Sequence, residues 1–337
     1  MQYHQKANPA YQIVNVDLRR KEGYLHHCGR ISSGKNLKKY IILFLVIVFG
    51  FEVGFAQDEE TQKKKKVKDR PITTMFDNGM LIDDQTSVVP AQKSLEMVIQ
   101  HRFGLIKDNG VKDLFGIYAP SANTRMGLNY SILDNLMVGY GITRKNMYSD
   151  FQVKWAFLRQ TRKNTIPLTV AVYANMAIDG RNESNFGDDY EFGNRFSYFS
   201  QLIVGRKFND WFSLELTASF THYNAVEADV PNVKGYDHDV FGFGGHARFK
   251  FTPQTSFVIS YTQPVYIDAL TENYETLNVY NANFSFGVEI ATATHSFQIF
   301  AGTANGIIPQ DIYMFNTSDW TEGEFRIGFN ITRLWEF

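Results

Sequence analysis

Cysteine is almost absent from this chain. The single cysteine, Cys28, lies upstream of a segment that reads as an export signal, so the mature protein has none and is not acylated as a lipoprotein. A thiol-free chain suits a compartment in which stray thiols oxidise. Long apolar runs are equally scarce. Only Tyr40 to Ala56 approaches a membrane span, and the mean hydropathy of −0.26 is too polar for a helical membrane protein, which needs several runs of about 20 apolar residues. An excess of basic charge is also missing. Removing residues 1–56 takes away 8 of 34 Lys and Arg and 3 of 35 Asp and Glu, which leaves a net charge near −6. Nucleic-acid binding wants a basic footprint, and the run Lys63 to Lys66 reads as a short solvated tail beside acidic neighbours.

The one apolar run follows Lys35, Lys38 and Lys39 and closes on Gly54-Phe55-Ala56. A basic region, an apolar region and a small-x-small site make residues 36–56 a secretory signal peptide cut after Ala56. Residues 1–35 precede it and read as an extension from a start codon assigned too early. Residues 57–93 are polar, aperiodic and rich in turn signals such as Asp77-Asn78-Gly79, and read as a lead segment in the periplasm or inserted in a lumen.

What is abundant is aromatic side chains, 15% of the chain with 29 Phe and 18 Tyr, which pack well on strands. From Ser94 onward the period is two. Leu95, Met97 and Ile99 alternate with Glu96 and Gln100, and Met126, Leu128, Tyr130 and Ile132 alternate with Arg125, Gly127, Asn129 and Ser131. Leu136, Val138, Tyr140 and Ile142 follow the same rule. Further segments from Phe151, Pro167, Ser197, Phe212, Phe241, Ser256, Ala282, Ser296 and Arg326 bring the count to twelve. No stretch after Ala56 shows a helical period. Tight links such as Leu133-Asp134-Asn135 alternate with long ones such as 179–195 and 304–322, as in barrels with short periplasmic turns and long outer loops.

A soluble sandwich would also alternate, but its outward face would be polar. Here the aromatic face is the outward one, and several runs reach about 9–11 residues, long enough to cross a membrane when tilted. Closure follows, because an open sheet edge in lipid leaves backbone groups unpaired. The expected fold is all-β: an antiparallel transmembrane β-barrel of about 12 strands in an up-and-down meander over residues 94–337, in a Gram-negative outer membrane. The last strand, Arg326 to Phe337, would pair with the first near Leu95. Trp335 and Phe337 would lie in the periplasmic aromatic girdle, Arg333 would snorkel beside them, and the terminal aromatic resembles the signal that outer-membrane assembly machinery reads.

The stretches HRFG (101–104), DNLMVGYGITR (134–144), IPLTVAVYAN (166–175), FSYFSQLIVGRKF (196–208), GGHARFKFTP (244–253) and GFNITRLWEF (328–337) resemble an uncharacterised outer-membrane β-barrel family, a domain of unknown function. The resemblance covers roughly residues 73–337. It implies architecture and location, and it brings no catalytic residues.

Enzymatic signatures are not found. Barrels of the outer-membrane phospholipase family place His and Ser two apart on a strand, whereas His101, His222, His238, His246 and His295 are not followed by such a Ser, and G-x-S-x-G is absent. Two acidic loop stretches, Asp188 to Glu191 and Tyr236 to Asp239, offer oxygen ligands but lack the spacing of a cation loop. They read as solvated loops, and no metal or cofactor is expected.

The polar parity is the informative surface. It places Glu96, Arg102, Arg125, Lys154, Lys207, Glu215, His246, Arg248, Lys250, Glu289 and Arg326 on the lumen, with lipid outside and small solutes as candidate partners within. Diameter grows with strand number, and twelve lies between barrels packed shut and barrels with an open channel. Two readings therefore stay open: a narrow pore or binding site for small polar solutes, or a non-conducting barrel that uses its long outer loops for surface interactions. Glycines on the lumen parity, among them Gly205, Gly242, Gly302 and Gly328, ask for room. Either the wall coils tightly there or a segment lies against it, and residues 71–92 are near enough to be that segment.

Overall fold

Alternation of large apolar and polar side chains makes one face of each strand suit lipid and the other an enclosed interior. The computed structural model of the protein describes residues 69–72, 75–109, 113–186, 189–226, 238–265 and 281–337. The signal segment, the extension before it, Cys28 and Lys63 to Lys66 lie outside the described residues.

Two short strands, β1 (Met80–Leu81) and β2 (Asp84–Gln85), pair as a hairpin. Twelve longer strands follow: β3 (Ser94–Leu105), β4 (Asn123–Leu133), β5 (Leu136–Thr143), β6 (Ser149–Leu158), β7 (Thr169–Ile178), β8 (Phe196–Lys207), β9 (Phe212–Tyr223), β10 (Asp239–Lys250), β11 (Thr255–Val265), β12 (Asn283–Ala291), β13 (His295–Gly302) and β14 (Arg326–Glu336). Each pairs antiparallel with its neighbours in chain order, and β14 closes on β3. The seam pairs Trp335 with Leu95 and Ile331 with Ile99, with a bulge between Arg326 and Gly328. The barrel has no free edge, which is what lipid demands of a sheet.

Exposure follows the two-residue period. On β4, Met126, Leu128, Tyr130 and Ile132 are exposed while Arg125, Gly127, Asn129 and Ser131 are buried. Near the short-turn end, Phe212 and Phe249 stack at 5.0 Å beside Trp211, and the Arg333 guanidinium lies 4.9 Å over Trp335. Phe337 is exposed at the same end.

The interior is occupied from both ends. Residues 75–88 enter from the short-turn side, where Pro71 bridges to Thr161 in the β6–β7 link. They climb to the β1–β2 turn at Ile82 and Asp83 and descend to Lys93, whose N–H donates to the Ser131 carbonyl just before β3. Met75, Phe76, Leu81 and Ile82 pack against the wall residues Val258 and Phe300. From the opposite end, part of the β13–β14 connection folds inward as a helix, Pro309–Met314, whose residues from Gln310 to Met314 are buried. Its Tyr313 packs with Tyr173, Phe199 and Ile203, against which Val89 of the descending segment also packs. The two insertions share that patch of wall. The helix departs from the strand-and-loop pattern expected for 304–322. Six residues are too few to display a helical period, and Pro309 at its first turn is the one local signal.

The lumen glycines divide by what they make room for. A Cβ at Gly205 would fall 2.9 Å from Met75 Sδ, and one at Gly242 would fall 2.2 Å from the Tyr313 ring. Gly242 accommodates the inserted helix, while Gly205 makes room both for Met75 and for the nearer wall side chain of Glu215, 2.6 Å from such a Cβ. Gly141 instead lies under the Arg125 guanidinium and Gly328 under the Phe300 ring, so these admit large neighbours on the wall itself.

Candidate functional site

Charges cannot stay buried without partners, so the inner wall must either admit water or answer each charge. It answers them largely through residues 75–88. At the hairpin turn, Asp83 Oδ1 accepts from Arg102 Nε at 3.1 Å and Nη2 at 2.7 Å, while Oδ2 accepts from Asn283 Nδ2 at 2.9 Å and Ser285 Oγ at 2.8 Å. Asp84 accepts from Ser260 Oγ at 2.7 Å. Lower down, Asp77 pairs with Arg248 at 2.8 Å and Lys250 at 3.5 Å. Glu289 accepts from Asn78 Nδ2 at 2.6 Å and from Gln298 Nε2 at 2.9 Å. Glu215 accepts from the Ser87 N–H at 3.1 Å and from its hydroxyl, and is paired with His246 Nε2 at 2.8 Å. The Lys154 ammonium donates to the Gly79 carbonyl.

The remaining lumen candidates are placed differently. Arg125 forks onto Asp150, at 2.9 Å from Nε and 2.6 Å from Nη2, and reaches Gln100 at 3.1 Å. Glu96 accepts from Asn129 at 2.7 Å. The Arg125 contacts stay within the wall, whereas Glu96 also accepts from the Gly79 backbone N–H of the inserted segment. Arg326 serves the inward-folded connection, donating to Ser318 Oγ at 2.7 Å and to the Thr303 carbonyl. Lys207 stands apart at the short-turn end, paired with the exposed Asp210 at 3.0 Å. There the hydrogen bond from Lys207 holds the Asp210 carboxyl below its ordinary value.

The helix end of the lumen has its own anchor. Asp311 accepts from the Tyr148 hydroxyl at 3.1 Å and the Tyr223 hydroxyl at 3.0 Å, and Lys145 lies 3.0 Å away. Burial pushes the Tyr148 phenol well above its usual range, and Asp311 adds to the effect. Gln310 donates to Asn175 at 2.8 Å.

The structure gives the wall charges partners that sequence reasoning missed. Asp77, Asp83 and Asp84 lie in a segment with no period, and Asp311 lies in a long link. Sequence reasoning also missed the inward aromatics Tyr173, Phe199 and Phe300, which share the parity of Asn175, Gln201 and Gln298. Glycine opposite Phe300 on β12 and β14, at Gly287 and Gly328, was the available signal. Of the two acidic loop stretches, Asp188, Tyr236 and Asp237 lie outside the described residues. Asp239 pairs with His222 at 2.7 Å, and His238 Nδ1 lies 2.6 Å from the Tyr223 carbonyl.

A family model described as a membrane bound beta barrel domain (DUF5777) matches residues 76–335. No curated protein matches the sequence significantly. Among solved structures the chain is similar to the NanC porin, with 10% identity and a TM-score of 0.43 over 72% of this chain and 99% of that one. It is similar to an outer membrane channel from Pseudomonas putida F1, with 14% identity and a TM-score of 0.42 over 74% and 97%. The outer membrane protein Omp33 of Acinetobacter baumannii is 13% identical, with a TM-score of 0.36 over 73% and 100%.

Proposed function

Given that the chain belongs to the family of membrane bound beta barrel domains and forms a closed twelve-stranded barrel of the outer membrane, we propose that it passes small polar solutes and is held closed by its own residues 75–88. The carrying observation is the chemistry of the filling. A barrel filled only for stability needs no charge, because apolar side chains of the same volume serve as well or better. Here the hairpin meets the wall through Asp77, Asn78, Asp83, Asp84 and Ser87, contacts that water or a polar solute can replace. The role is one of passage and not of catalysis.

Full-length protein in planar bilayers should show discrete conductance steps. The double variant Asp77→Asn, Asn78→Ala loses charge at Arg248 and Lys250 and the bond to Glu289, and should open more often. Silence of both proteins across voltages and salt concentrations would remove solute passage and leave a non-conducting barrel that works through its loops.

A further inference from the structure

The carboxylate of Asp83 is bound as a ligand is bound. Both of its oxygens are occupied, by donors from β3 and β12, and the Arg102 and Asp83 side chains are each 1% exposed. Apart from the Ile82 carbonyl, which accepts from Arg102 Nη2 at 3.3 Å, the groups that orient the donors do not belong to the hairpin. Arg102 Nη1 donates to Asn330 Oδ1 and to the His101 carbonyl, both at 3.0 Å, and its guanidinium lies 4.4 Å over the Phe300 ring. Asn283 Oδ1 accepts from the Ala304 N–H and the Thr303 hydroxyl, each at 3.0 Å, which turns its Nδ2 toward the carboxylate. Gly302 keeps the floor clear: a Cβ there would fall 2.5 Å from Ser285 Oγ and 3.6 Å from Asp83 Oδ2.

The occupant is tied to the wall, with the Ile82 N–H donating to Gln298 Oε1 at 3.0 Å and its carbonyl accepting from Asn330 Nδ2 at 2.8 Å, but its backbone is strained. Ile82, the first residue of the turn, has φ of 54°, a left-handed conformation that a β-branched residue adopts only under constraint. The turn lacks the glycine that a positive φ at this position favours. Rigid receptor and strained occupant together describe a site built for a carboxylate and filled by one from the chain itself.

From this geometry we infer that Arg102, Asn283 and Ser285 form a lumen receptor for the carboxylate of a small organic anion, and that Asp83 is its internal stand-in. A carboxylate is favoured over a more highly charged anion. The site offers one formal positive charge and two neutral donors, and Asp84 follows directly in the chain. The role of the receptor rests on the solute-passage reading above: an arriving carboxylate takes the place of Asp83 and weakens the hold of the hairpin.

The test is chemical rescue. Asp83→Ala removes the carboxylate and leaves a space of about that size, while the other hairpin contacts remain. In detergent, formate should raise the Tm of Asp83→Ala saturably, by roughly 3–6 °C at about ten times its dissociation constant. Acetate should act less, and inorganic phosphate or chloride at equal ionic strength should have no saturable effect. Wild-type protein should not respond, and adding Arg102→Gln to Asp83→Ala should erase the response. Equal shifts with formate and chloride would overturn the receptor. If Asp83→Ala does not fold, its refolding yield in formate against chloride decides the same question. In bilayers, formate should raise the opening frequency of the wild-type chain several-fold over chloride. A conducting barrel indifferent to formate would overturn the competition. A silent barrel whose Asp83→Ala form is still rescued would sink solute passage and leave the receptor standing.

Discussion

Phe76 offers a direct measure of how firmly the hairpin is held. The ring is 2% exposed, packs with Met75, Leu81, Ile82, Val258 and Phe300, meets the His246 ring edge-on at 5.6 Å, and lies under the Arg248 guanidinium at 5.5 Å. Truncating a buried Phe to Ala costs about 3–5 kcal/mol. The strand ladders that close the barrel do not involve Phe76, so the loss falls on hairpin docking and not on barrel closure. At about 1.4 kcal/mol per tenfold, Phe76→Ala should raise the undocked fraction by about two to three and a half orders of magnitude, roughly 10² to 4 × 10³. No cysteine follows Cys28 in the sequence, so Thr86→Cys, at a fully buried hairpin position, provides a clean probe in a Cys28→Ser background. Its labelling by a membrane-impermeant maleimide should accelerate by the same factor when opening and closing are fast relative to modification, with the barrel's unfolding transition unchanged. Acceleration below tenfold, or a parallel loss of barrel stability, would show that hairpin and wall melt as one unit and refute the reasoning.

Two further outcomes are expected. Arg125→Leu leaves the Asp150 carboxylate buried with Asn175 Nδ2 at 3.0 Å as its remaining side-chain donor; it should lower unfolding stability in urea by about 3–5 kcal/mol, and a change under about 1 kcal/mol would mean that water reaches Asp150. Deletion of Phe337 should reduce the amount of barrel recovered from outer membranes relative to the soluble fraction, and normal recovery would remove its assembly role.

The barrel was legible because its signal repeats. Twelve segments each alternate large apolar with polar side chains, and a one-residue slip in any of them would turn its charges to lipid. The closing pair could be read from the same alternation in Arg326 to Phe337. The filling was not legible in the same way. Asp83 is recognisable as a ligand only once Arg102, Asn283 and Ser285, distant in sequence, are brought around it. The turn that delivers it, Ile82-Asp83, carries neither Asn-Gly nor any glycine to announce a hairpin. The inward helix is too short for periodicity to register. Lumen glycines gave a partial hint, since Gly205 and Gly242 do face inserted segments, but Gly141 and Gly328 look the same in sequence and accommodate wall side chains. Composition along one strand cannot tell these cases apart, because the difference lies in what crosses from the facing strand.

The hairpin is joined to β3 by only the residues between Gln85 and Ser94, and Lys93 is pinned to Ser131. Its carboxylate therefore never dilutes. A short tether alone presents its ligand at an effective concentration on the order of millimolar, and the packing of Phe76 and the Asp77 ion pairs raise that figure. A competing free anion would have to exceed it before holding Arg102 for an appreciable share of the time. The barrel would then ignore traces of solute and respond to plenty, a threshold set by chain length and not by the affinity of the site alone.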